Sequence, residues 1–70
     1  MRAYILEAIM KVLPEEEFFA RDLVDPLEEV LNERLDAKSI AWYLGELSLT
    51  GLVVKKRIAP WKPMYIYRRR

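Results

Sequence analysis

Residues 44–56 read "LGELSLTGLVVKK", and the spacing changes partway along this stretch. Leu44 and Leu47 continue a stripe begun by Ile40, at the three- and four-residue intervals of one helix face, with Tyr43 beside it. After Gly51 the interval drops to two. Leu52, Val54 and Ile58 alternate with Val53, Lys55 and Arg57, which is the period of a strand. Glycine at the junction suits a helix that stops in a left-handed turn. Upstream, Asp36 is placed to cap the first turn of the same helix. The stretch therefore predicts a helix between Asp36 and Gly51 that runs straight into a strand.

On the C-terminal side, "APWKP" at 59–63 predicts a five-residue turn, and "MYIYR" at 64–68 predicts a returning strand. The last two or three arginines are expected to fray. On the N-terminal side, "RAYILEAIMKVL" at 2–13 predicts a helix with Ile5, Leu6, Ile9, Met10 and Leu13 facing inward. Glu7 and Lys11 sit four apart on its other side, in the favourable order. Pro14 and the run Glu15–Glu17 stop that helix, and Phe18 and Phe19 suit a short extended piece under the core. "ARDL" at 20–23 opens a second helical region. There Asp25, Pro26 and Glu28 fit a cap, a first-turn proline and a capping-box glutamate. The region reads either as one helix bent near Pro26 or as a turn followed by a helix from 26 to about 34. Leu23, Leu27, Val30 and Leu31 face inward in both readings.

Seventy residues make one domain, spanning 1–70, near the lower size limit for a core without staples. With no cysteine and no histidine, the disulfide, the thiolate metal site, the usual general base and the commonest zinc ligand are all excluded. Hydrophobic residues make up 53% of the chain, enough for a core, yet no apolar run approaches the ~20 residues that span a bilayer. The N-terminus lacks the basic-then-apolar layout of a signal peptide, so an intracellular, cytoplasmic domain is expected. A chain that is 33% charged, has no glutamine and has one asparagine (Asn32) leans toward a thermophilic source.

The net charge of +1 hides a division. Residues 1–36 carry four cations and ten anions, a balance of −6; residues 37–70 carry eight cations and one anion, Glu46, a balance of +7. Seven of those cations fall in residues 53–70 with no acid among them. This asymmetry suggests a face meant for a polyanion. Catalysis is not expected. The carboxylates lie on helix surfaces without the burial or close pairing that tunes a catalytic acid. The only glycines, Gly45 and Gly51, do not make a phosphate loop, and no metal-ligand spacing stands out. No cofactor, metal or small-molecule substrate is expected.

Three helices followed by a hairpin, joined through "LGELSLTGLVVKK", resemble the winged helix-turn-helix family. In that family a recognition helix ends in a leucine-x-x-x-glycine-leucine-valine turn and leads into two wing strands. "FFARDL" looks like the family's short first strand leading into its second helix, and "YIY" matches its tyrosine-bearing last strand. The resemblance covers roughly residues 4 to 67 and has the flavour of small archaeal or viral regulators. It implies an α+β fold of three helices with a C-terminal two-stranded wing. It also implies double-stranded DNA as partner, with the outward face of the third helix in the major groove.

The candidate contacts follow from those placements. Lys55 and Arg57 share one face of the first wing strand. Lys56 joins them in the basic run, Lys62 sits at the tip, and Arg68, Arg69 and Arg70 leave the second strand. Clustered cations free of acids fit phosphate binding; they also fit a solubilising edge that blocks strand-to-strand aggregation. Trp61, between Pro60 and Pro63, either enters a groove, stacks on a base or sugar, or folds back over Ile58 or Tyr65. On the third helix Lys38, Ser39 and Trp42 face outward near the bases, with Glu46 and Leu49 further along. That face has no arginine, asparagine or glutamine, the side chains with the best base-reading geometry. Trp42 and Leu49, two turns apart on one stripe, suit a protein partner or a second copy of the chain; alternatively, the acidic segment covers Trp42. The acidic stretch from Asp22 to Asp36 reads as a solvated helix face, or as a surface for a basic partner.

Overall fold

The computed structural model describes residues 2–62 and 64–70. Three α-helices, α1 (Ala3–Val12), α2 (Val24–Leu31) and α3 (Ala37–Leu49), precede two strands, β1 (Val53–Arg57) and β2 (Tyr65–Arg69). The strands pair antiparallel, with Val53 opposite Arg69, Lys55 opposite Tyr67 and Arg57 opposite Tyr65. This is the predicted α+β layout, a winged helix with a C-terminal hairpin.

The helix-to-strand junction forms as read. The Asp36 carboxylate accepts from the Ser39 N–H at 2.7 Å, capping α3. At the other end Leu52 N–H donates to Leu47 C=O (3.0 Å) and Gly51 N–H to Ser48 C=O (3.2 Å). These are the two bonds of a Schellman stop, and they need a left-handed residue between them. Gly51 supplies it with φ +83°, a conformation that a Cβ would strain. The stop satisfies the last carbonyls of α3 and turns the chain directly into β1.

Ile5, Ala8 and Ile9 from α1, with Leu13 just past its end, meet Leu23, Leu27, Ile40, Leu44 and Leu47 in the core, and Phe18, Val53 and Tyr67 close it from the sheet side. Phe18 exchanges both backbone hydrogen bonds with Tyr67 at 2.8 Å, so the expected first strand is a single bridging residue on the far edge of β2. The two rings stack with centroids 5.9 Å apart. Burying Leu44 completely makes it one of the costliest positions to truncate, at about 2–5 kcal/mol for alanine.

Several expectations are corrected. Met10 is exposed: it lies about 100° round from Ile9, while Ala8 takes the inward place. Val30 is exposed too, on the last turn of a helix that stops at Leu31. Asn32 ends that helix in a left-handed turn (φ 55°), short of residue 34. Asp25 is not the cap of α2. The helix is entered through a 3-10 turn, Ala20–Leu23, where the Asp22 carboxylate accepts from the Phe19 N–H at 2.8 Å. Pro26 then falls in the first helical turn, where its missing N–H has no partner to lose. Where the terminal arginines are expected to fray, β2 runs through Arg69, and Arg70 N–H donates to Leu52 C=O at 3.3 Å.

Candidate nucleic-acid interface

The pleat decides which wing cations stand together. Val53, Lys55 and Arg57 share the core-facing side with Tyr65, Tyr67 and Arg69, while Lys56 and Arg68 project from the opposite side. On the inner side two cations converge on one ring. Lys55 Nζ lies 4.2 Å from the Tyr65 centroid, and the Arg57 guanidinium carbon lies 5.4 Å from it. Arg57 also donates to the Tyr65 hydroxyl (2.9 Å) and to the Pro60 carbonyl (3.2 Å). These partners orient the guanidinium without neutralising it. Arg57, through its hydrogen bond and its charge, with a smaller contribution from the charge of Lys55, pulls the Tyr65 phenol below its usual range, while burial pushes Tyr67 up. Two tyrosines on one face of one strand thus sit in opposite electrostatic surroundings.

Lys55 also ties the wing to α3. A Cβ on Gly45 would meet Lys55 Nζ at 3.9 Å, so the ammonium lies close over the middle of that helix. N-terminal to that point, a cleft of about 260 Å³ runs between α3 and the first half of β2. It is lined by Ala37 and Ala41 from α3, by Met64 and Tyr65, and by Phe19 and Arg21. Arg21 lies over the Phe19 ring, 4.7 Å from its centroid.

Further out, Lys38 and Ser39 are exposed on the first turn of α3, and the Ser39 N–H is spent on the Asp36 cap. Trp42 is 55% exposed and packs edge-on against Tyr43 at 5.2 Å; the acidic segment does not bury it. Leu49 is 82% exposed. At the wing tip Ile58 N–H donates to Met64 C=O at 3.1 Å, which leaves the five residues 59–63 as the predicted loop, with Pro63 outside the described residues. Trp61 is 80% exposed there and does not fold back over the hairpin. Lys62 is exposed beside it.

Among the described residues three ion pairs form. Two hold Arg34 to Asp25 (3.2 Å) and Glu28 (2.6 Å), inside the acidic half. The third joins Arg69 to Glu15 at 3.1 Å and is the one that crosses from the basic half to the acidic half. Arg69 therefore starts with a partner, while Lys38, Lys55, Lys56, Arg57, Lys62 and Arg68 have no carboxylate within ion-pair distance among the described residues.

Sequence reading did not single out Arg21 or Tyr65. Arg21 carried a usable signal, being the sole cation between Lys11 and Arg34 and lying two residues from Phe19. Tyr65 carried none, because its pairing with Arg57 depends on strand register. No described helix is long and apolar enough to cross a membrane. No family model, curated protein or solved structure matches this chain.

Proposed function

We propose that this protein binds double-stranded DNA as a small transcriptional regulator, without catalysis. The observation that carries the reading is that Lys55 and Arg57 are held on Tyr65 without being neutralised, while Lys56, Lys62 and Arg68 on the same hairpin have no carboxylate partner among the described residues. Phosphates bind such a group by releasing condensed counterions. α3, with 13 residues, is about 20 Å long at 1.5 Å per residue and fits a major groove about 12 Å wide. It presents Lys38, Ser39 and Trp42 to the bases, and Trp61 with Lys62 at the wing tip reaches along the backbone. Arg69 adds to the grip after exchanging Glu15 for a phosphate.

A second reading rests on a different observation. The outward face of α3 exposes Trp42 and Leu49 and lacks base-reading side chains. Such a stripe suits a protein partner or a second copy of the chain in a replication, transcription or assembly complex. Salt separates the two. Anisotropy of a labelled random duplex across a salt series, run beside sedimentation of the free protein, tests both. DNA binding through four phosphates gives a log–log slope of about −3.6, at ~0.9 per phosphate. A flat response with a salt-insensitive oligomer overturns the DNA reading in favour of the second.

A further inference from the structure

We propose that the cleft between α3 and the wing strand β2 seats one unpaired nucleobase, so that the preferred DNA is a duplex interrupted by an unpaired nucleotide. This deepens the DNA reading and rests on it. The cleft exists because the α3 positions facing β2 are alanines four apart, Ala37 and Ala41, where larger side chains would close the space. Its lining is mostly apolar and includes the rings of Phe19 and Tyr65 with the Met64 side chain, and its volume of about 260 Å³ suits a small planar ring. Its rim is cationic. Arg21 lies on Phe19 and offers a guanidinium plane, a surface on which bases stack. Lys55 and Arg57 stand at the Tyr65 side.

The chemistry this combination recognises is a planar aromatic ring carrying an anion. A free aromatic acid and a nucleotide both answer that description. The nucleotide is favoured because the cations do not stop at the cleft: beyond Lys55 and Arg57, which share its face of the sheet, Lys62 is exposed at the hairpin tip. A polymer with a phosphate on each side of the seated base uses that whole track, whereas a single carboxylate uses one end of it. A base inside a matched duplex cannot enter, since its faces are stacked and its edge is paired.

The test compares a matched duplex with the same duplex bearing a single-adenine bulge, by anisotropy, for the wild type, Ala41→Leu and Arg21→Ala. The wild type is expected to favour the bulged duplex about tenfold, the scale of one base stacked on protein side chains. Ala41→Leu fills the cleft and removes that preference while keeping affinity for the matched duplex. If Ala41→Leu melts early, Arg21→Ala, an exposed truncation, carries the same expectation. Equal wild-type binding to both duplexes overturns the proposal, as does a preference that survives both substitutions. A second arm follows the Ala41 methyl and Tyr65 ring signals by NMR during titration with deoxyadenosine monophosphate, deoxyribose 5-phosphate and benzoate. Shifts with the mononucleotide alone support the seat; benzoate binding as tightly reassigns it to free aromatic acids and overturns the nucleotide. Should neither duplex bind, the DNA reading falls, and the mononucleotide titration alone decides the cleft.

Discussion

Arg34 and Arg57 show two ways of holding the same side chain. Arg34, in the acidic half, is clasped by the carboxylates of Asp25 and Glu28. Arg57, in the wing, is held by a phenol, a backbone carbonyl and a ring face. Both are positioned, but the charge of Arg34 is cancelled locally and that of Arg57 is not. A count of basic residues treats them alike. What separates them is whether the partner that fixes the geometry also takes up the charge, and only the second arrangement leaves a cation for an external anion.

The largest test of this contrast concerns the element both regions lean on, since α3 packs against the 3-10 turn on one side and β1 on the other. Leu44→Asp puts an unpaired charge at a fully buried site and is expected to unfold both regions in one step, seen as loss of helical circular dichroism and dispersed NMR signals. A folded mutant would break the structural account. Next, Lys55→Glu with Arg57→Glu and Lys62→Glu is expected to cut duplex affinity by at least about 100-fold at moderate salt with the fold intact. Arg34→Glu, one reversal in the acidic half, should change affinity far less than Arg57→Glu alone. Equal losses in anisotropy would erase the distinction between the two arginines.

A smaller effect belongs to Trp42. Being more exposed than buried, it should tolerate Trp42→Ala with little change in Tm, while duplex affinity falls about threefold to tenfold or an oligomer dissociates in sedimentation. A sharp drop in Tm with neither change would make it a core residue.

The smallest effect concerns Asp36. The Ser39 N–H holds its carboxyl below the usual carboxylate range. A depressed folded value means the cap stabilises above that range and fades as pH falls through it. Asp36→Ala should therefore lower Tm at neutral pH by an amount that shrinks toward zero in acid. A constant difference across the titration would show that the carboxylate charge is not what caps α3.

The residues legible in sequence are those whose role is local. Asp36, Gly51 and the stripe Ile40–Leu44–Leu47 were readable because a cap, a left-handed stop and a helix face depend on neighbours within five positions. Met10 and Val30 misled because an apolar residue beside the true stripe looks the same in sequence as one within it; only the packing partner fixes the phase. Asp25 beside Pro26 imitated a cap that Asp22 supplies one turn earlier, through a 3-10 entry with no strong sequence signature. For the candidate site, the basic wing was legible as composition. The convergence of Lys55 and Arg57 on Tyr65 was not, because it depends on which residues face one another across the hairpin. The cleft was still less so, since it joins segments 19–21, 37–41 and 64–67.

The single-residue bridge between Phe18 and Tyr67 makes the hairpin a cantilever. Its root is bonded on both edges of β2 and packed into the core, while from Tyr65 outward β2 has backbone partners on one edge only. Amide exchange should be slowest at Phe18 and Tyr67 and quicken toward Trp61. The bridged root fixes the direction in which the ribbon leaves the core, and with it the side of the molecule on which the wing cations stand.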